Sequence, residues 1–275
     1  LKSPIGRGAQ DRPRPDRRAA IAPALGAVLG ASPSWLDLAT LGMEEDNLIL
    51  LARVAERAER YDEMADYMKE RVEKGRPLGP DERDMFSAAF KNSLAERRHA
   101  VRVAVRVAQE TIQEGRPDQA QLANGYKNKV ETELKAICEK ALGVLKTHLV
   151  PGAELGEAKT FYLKMMGDYH RYMAEFAEGD ARMRSAGEAK VAYAQGMTEA
   201  SSLSDVNPVR LGLALNFSVF LHEVLQDTSA AVTTAKQALA ASAAAIESVP
   251  EENRNDAILT MRLLQDNLTL WEPEA

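Results

Sequence analysis

The stretch Arg210-Leu211-Gly212-Leu213-Ala214-Leu215-Asn216-Phe217-Ser218-Val219-Phe220-Leu221, continued by Val224 and Leu225, is apolar on nearly every side of a helix. A helix of that kind is buried or lines a groove. Asn207-Pro208 marks a break before it, and the pattern predicts a helix over 208–226. Outward from there, apolar periodicity predicts helices over 44–58, 61–74, 80–113, 118–148, 153–178, 181–202, 229–248 and 251–271. Gly75-Arg76-Pro77-Leu78-Gly79-Pro80 reads as a connector, with Pro80 at a helix start. Gly115-Arg116-Pro117 separates two long helices, and Pro151-Gly152, Gly179-Asp180 and Pro250 mark later breaks. No segment requires a strand. The expected fold is all-α, with short connectors making neighbouring helices antiparallel. Helix pairs also suggest tetratricopeptide repeats, but these helices vary too much in length for a period of about 34 residues.

With 45% hydrophobic residues and 5% aromatic ones, the 275-residue chain can bury a core while leaning on alanine and leucine. Cys138 is the single cysteine, so an internal disulfide and cysteine-based zinc motifs are excluded. This usage fits a reducing, cytoplasmic setting. The formal net charge is −6, although residues 1–20 hold six basic against two acidic side chains. The remainder is therefore strongly acidic and a poor nucleic-acid binder. An apolar run long enough to cross a membrane is absent, so no membrane partner is expected.

Residues 1–42 hold 5 of the 12 prolines and the basic run 12–18, and read as an unfolded extension ahead of a helical domain over 43–275. The charge-free stretch 19–31 after that run has the layout of a targeting segment, interrupted by Pro23. An untargeted extension fits the same composition.

Cations gather at two places. Lys91 and Arg98 stand seven residues apart, on one face of a helix. Lys164, Asp168, Arg171 and Tyr172 lie together on another, with Asp168 spaced to pair with Lys164 and Arg171. Ordinary solvated helix charge is the competing reading. Asn216 and Asn267 sit within apolar helices, where an amide needs partners. A neighbouring helix could supply them, or the main chain of a bound peptide.

Taken together these segments resemble the 14-3-3 family. The stretches that carry the resemblance include Ala55-Glu56-Arg57-Ala58-Glu59-Arg60-Tyr61-Asp62, Ala89-Phe90-Lys91-Asn92, Arg97-Arg98 and Lys129-Val130-Glu131-Thr132-Glu133-Leu134. They continue with Phe161-Tyr162-Leu163-Lys164-Met165 through Tyr172, Arg210 through Phe220, and Leu264-Gln265-Asp266-Asn267-Leu268-Thr269-Leu270-Trp271. The resemblance implies nine antiparallel helices in an L-shaped subunit with a concave groove, paired into a cup-shaped homodimer or heterodimer. It implies an adaptor for phosphorylated client proteins, with no enzymatic activity and no cofactor. Lys91, Arg98, Arg171 and Tyr172 would hold the phosphate. Asn216 and Asn267 would bond the peptide backbone. Leu215, Val219, Leu263 and Leu270 would form the apolar wall, with Gly212 allowing close approach. Lys164, Glu223 and Trp271 would complete the groove. Intersubunit pairs are expected between Arg60 and Glu133 and between Glu63 and Lys129. Val54, Ala58, Ala104, Val107 and Tyr126 would be their apolar companions.

The chain departs from the family pattern at Ala100, where many relatives carry a phosphorylatable serine, and at Thr260 and Gln265 in the groove. Trp35-Leu36-Asp37-Leu38 in the extension is similar to phosphate-free 14-3-3 ligands, which makes it a candidate pseudo-ligand. A short amphipathic turn unrelated to the groove fits the same residues.

Enzyme readings lack their motifs. Asp-rich metal motifs, paired Glu-x-x-His motifs, a G-x-S-x-G elbow and a phosphate loop are all missing from the sequence. His99, His148, His170 and His222 have no histidine four residues away. A helical scaffold that ignores phosphate is the second reading.

Overall fold

The computed structural model describes residues 45–249 and 254–272. Among these residues there are nine α-helices and no strand. They are α1 (Glu45–Arg57), α2 (Tyr61–Glu73), α3 (Pro80–Gln113), α4 (Pro117–Val144), α5 (Glu157–Phe176), α6 (Gly179–Ala200), α7 (Pro208–Glu223), α8 (Thr228–Ala245) and α9 (Asn255–Trp271). The all-α expectation therefore holds.

The ends differ from expectation where local chemistry intervenes. The fifth helix begins at Glu157 rather than 153, because Gly156 takes φ 90° and turns the chain there. The fourth widens into a π turn over Leu145–Leu149 that buries Leu145 and Leu149. At the start of α7 the Asn207 carboxamide oxygen accepts the main-chain N–H groups of Val209 and Arg210, at 2.9 and 3.1 Å. That satisfies two of the donors a helix start leaves open.

The connector over 74–79 is fixed by a buried cation. Arg71 is fully buried and donates to Glu82 at 2.9 and 3.1 Å and to the carbonyl of Arg76 at 3.0 Å. Glu82 also accepts the main-chain N–H of Gly79 at 2.9 Å. One carboxylate thus caps α3 and anchors α2.

Three apolar clusters hold the helices. The first joins α1 to α5 around Met64, Met68, Phe86, Phe90, Leu134 and Tyr169. The second joins α5 to α8 around Ala174, Tyr193, Leu213 and Phe220. The third packs Leu211 and Ala235 against Leu264 and Leu268 of α9. Helix α7 serves two of them, Leu213 facing one and Leu211 the other, which is why its sequence has no polar face. Trp271 packs against both. No described helix is long and apolar enough to cross a membrane.

Candidate functional site

Helix α5 lies on α4, α6 and α7. Between it, α3 and α7 lies an open pocket of about 340 Å³, lined by Lys91, Lys164, Asp168, Arg171, Tyr172 and Asn216 among others. A larger cavity, about 660 Å³, opens beside the 74–79 connector. Its opposed charges Arg83 and Glu157 lie 3.6 Å apart and answer each other. The smaller pocket is where like charges converge.

Two carboxylates organise those cations. Glu175 accepts from Arg98 at 2.7 and 2.9 Å and from Arg171 at 3.2 Å, so it joins α3 to α5. Both guanidiniums also lie against the ring of Tyr172, 4.3 Å (Arg98) and 4.7 Å (Arg171) from its centroid. Asp168, only 7% exposed, accepts from Lys164 at 2.8 Å, from the Tyr193 hydroxyl at 2.6 Å and from Asn216 at 2.8 Å. Burial alone would raise the Asp168 pKa. Lys164 and Arg171, with the bonds from Lys164 and Tyr193, outweigh it and leave the carboxyl below its ordinary value. The Arg171 guanidinium is likewise buried, and Tyr193 and Asp168 more than offset that, raising its pKa. Burial, with Asp168 nearby, pushes the Tyr172 phenol up to about 12, so it stays a hydroxyl donor at neutral pH. Lys91 is exposed and pairs with no carboxylate among the described residues.

The structure thus brings Lys91, Lys164, Arg171, Tyr172 and Asn216 to one pocket, with Arg98 tied in through Glu175. Asn267, Leu263 and Leu270 are not among its lining residues. They stand on α9, which packs against α7, with Asn267 half-buried and the two leucines exposed. Leu215 and Val219 are half-buried, and Glu223 is exposed. Trp271 stacks on His222, ring centroids 4.9 Å apart. At Gly212 an added Cβ would sit 3.6 Å from Lys164 Cε, an ordinary contact, so the subunit itself does not demand a glycine there. The close approach is at Gly167, against Tyr193. Trp35, Leu36, Asp37 and Leu38 lie outside the described residues.

Glu175, Tyr193 and Gly167 were not singled out in the sequence. The four-residue spacing of Arg171 and Glu175 was the available signal for the first.

Among the residues expected at a subunit interface, Val54, Val107 and Tyr126 are 55%, 40% and 55% exposed, and Ala58 and Lys129 are exposed as well. Ala104 is 5% exposed and has little surface left to offer a second subunit, because it packs within its own. Arg60 binds Glu63 of its own chain at 2.7 Å, as their three-residue spacing allows. Glu133 lies 3.5 Å from Arg97. Three of the four charged residues expected to pair between subunits, Arg60, Glu63 and Glu133, therefore have partners within one subunit.

Comparison with known proteins bears on this arrangement. Residues 51–272 match the family described as 14-3-3 protein. The chain belongs to the 14-3-3 family. It is 42% identical over 233 residues to the 14-3-3-like protein G-BOX factor 14 kappa of Arabidopsis thaliana, covering 83% of this chain and 94% of that one. It is 43% identical over 233 residues to the 14-3-3 protein beta/alpha of Xenopus tropicalis, covering 84% and 95%. With the 14-3-3 protein homolog of Trichoderma harzianum it shares 44% over 230 residues, 83% of this chain and 88% of that one. Membership of the 14-3-3 family supports an adaptor role, client binding and dimerisation.

Proposed function

We propose that this chain is a phosphoserine and phosphothreonine adaptor that captures client segments at the α3–α5–α7 pocket. The observation that carries the reading is the pair of guanidiniums, from different helices, held on one tyrosine ring by one carboxylate, beside Lys91, which pairs with no carboxylate among the described residues. A phosphoserine brings about −1.5 to −2 charges and three acceptor oxygens. Arg98 and Arg171 offer directional donors, Tyr172 a hydroxyl and Lys91 a charge with no described carboxylate to displace. Each charge-assisted bond contributes about 1.5–3 kcal/mol. Unphosphorylated serine brings neither charge for Lys91 nor an oxyanion for the guanidiniums to bond, so discrimination is large. Asn216, and Asn267 on α9, take the peptide main chain, and Leu215, Val219, Leu263 and Leu270 its apolar side chains.

Dimerisation uses the apolar side chains exposed on α1, α3 and α4, since exposed ion pairs contribute only about 0–1 kcal/mol each. Two grooves on one client raise avidity by about 10²–10⁴.

Fluorescence polarisation with matched phosphorylated and plain peptides tests the reading. The phosphorylated peptide binds in a salt-sensitive way and the plain one does not. Lys91→Glu abolishes binding while the melting curve stays unchanged, because Lys91 is exposed. Normal affinity in that variant refutes the site. The same assay on residues 43–275 tests the pseudo-ligand reading of Trp35-Leu36-Asp37-Leu38. Tighter binding on removal is expected, and unchanged affinity rejects it.

A further inference from the structure

We propose that Asp168 is a positioning residue, which turns the Asn216 carboxamide so that its oxygen accepts a main-chain N–H of the bound segment. The inference rests on the phosphopeptide reading above and adds a donor–acceptor sense to it.

A carboxamide can be rotated to present either its oxygen or its NH₂ to a neighbour. An ionised carboxylate accepts hydrogen bonds and donates none. Asp168 Oδ1 lies 2.8 Å from Asn216 Nδ2, so the NH₂ end must face the carboxylate. The opposite rotation would set two acceptors against each other with no hydrogen between them. Asn216 lines the pocket, and its Oδ1 is the end turned away from Asp168. An acceptor beside cations that bind a phosphate complements a donor, and the backbone N–H next to the modified residue is the donor that peptides offer there whatever their side chains.

The carboxylate is itself held in place. It is 7% exposed, with Lys164 on Oδ2 and the Tyr193 hydroxyl on Oδ1. Tyr193 in turn accepts from Arg171 Nε at 3.3 Å. One buried group therefore orients the amide and, through Tyr193, steadies a phosphate cation.

Amide-to-ester replacement at each position flanking the phosphoserine removes one N–H at a time with little change of shape. In the wild type, one such replacement weakens binding about fivefold, the value of one hydrogen bond. Asn216→Ala abolishes that ester penalty. Asp168→Asn, which frees the amide to turn, reduces it to under about twofold, while Tyr193→Phe keeps it whole because the Asp168–Asn216 bond survives. A penalty that persists undiminished in Asp168→Asn overturns the inference, as does a penalty at no position in the wild type. A second readout uses the unmodified protein, so the test does not depend on any variant folding. By NMR, one Asn216 side-chain amide hydrogen exchanges slowly with and without peptide; rapid exchange of both overturns the proposal. Failure of the wild type to prefer phosphorylated over plain peptide refutes the phosphopeptide reading instead, so the two failures are separable.

Discussion

Replacing Gly167 by alanine sets a helix-stabilising change against a packing collision beside the site. A Cβ at 167 would lie 2.5 Å from Cδ1 and Cε1 of Tyr193 and 2.8 Å from its Cγ. Carbon atoms settle at about 3.5–4.0 Å, so the ring must retreat by about 1 Å. Tyr193 has no free space behind it: it is fully buried, with Phe217 and Phe220 at 5.5 Å between centroids. Its hydroxyl is also committed to Asp168 at 2.6 Å. Alanine gains about 0.8–1.0 kcal/mol in helix propensity. Overpacking costs about 1–3 kcal/mol, and loss of the tyrosine hydrogen bond about 1 kcal/mol more. The net destabilisation is about 1–3 kcal/mol. At about 2–4 °C per kcal/mol for a domain of this size, Tm falls by about 2–12 °C. Phosphopeptide affinity falls with it, because Asp168 and Arg171 share the displaced hydroxyl. Calorimetry and fluorescence polarisation on the same preparation measure both. A raised Tm with unchanged affinity would show that propensity alone operates and refute the reasoning.

Other consequences are open to measurement. Arg71→Met leaves Glu82 without its buried partner and destabilises by about 3–5 kcal/mol, seen as a lower urea midpoint; a change under about 1 kcal/mol would mean that the connector holds without it. Burial pushes the Cys138 thiol up to about 12, so a thiol reagent at pH 8 leaves the native protein unmodified and reacts once guanidinium unfolds it. Rapid native labelling would contradict that burial. Burial lowers the His170 pKa, against Glu188 and with Lys146, and its Nδ1 has no hydrogen-bond partner among the described residues. The folded state thus favours the neutral ring, so its stability is full above the unfolded value of about 6.5 and is lost as pH falls through the lowered one. His170→Gln removes that loss, and identical Tm profiles from pH 7 to pH 5 in both proteins would dismiss it.

The helices were legible because their signals are local. Pro80, Asn207-Pro208 and the Gly-Pro connectors act within one turn, and the starts of α3 and α7 follow them to the residue. The fifth helix start was not, since the positive φ of Gly156 depends on where the chain must go next. At the site, the shared face of Lys91 and Arg98 and the grouping on α5 were readable from spacing. The acid that joins Arg98 to α5 stands 77 residues away, and no periodicity encodes that pairing. Asn216 was recognised as an amide in need of a partner, but Asp168 as that partner emerges only once α7 lies on α5. Tyr193 has the sequence appearance of any core aromatic, and its polar duty depends on the gap that Gly167 leaves.

Helix α5 contributes to two apolar clusters and carries most of the pocket. Of its twenty residues only Glu157 is exposed. Almost every position there answers to a neighbour, so random change in α5 will mostly yield broken proteins rather than altered ones. Anyone wishing to redirect this scaffold toward other ligands has freer ground on α9, where Leu259, Leu263 and Leu270 stand open to solvent and can be exchanged without reopening the interior.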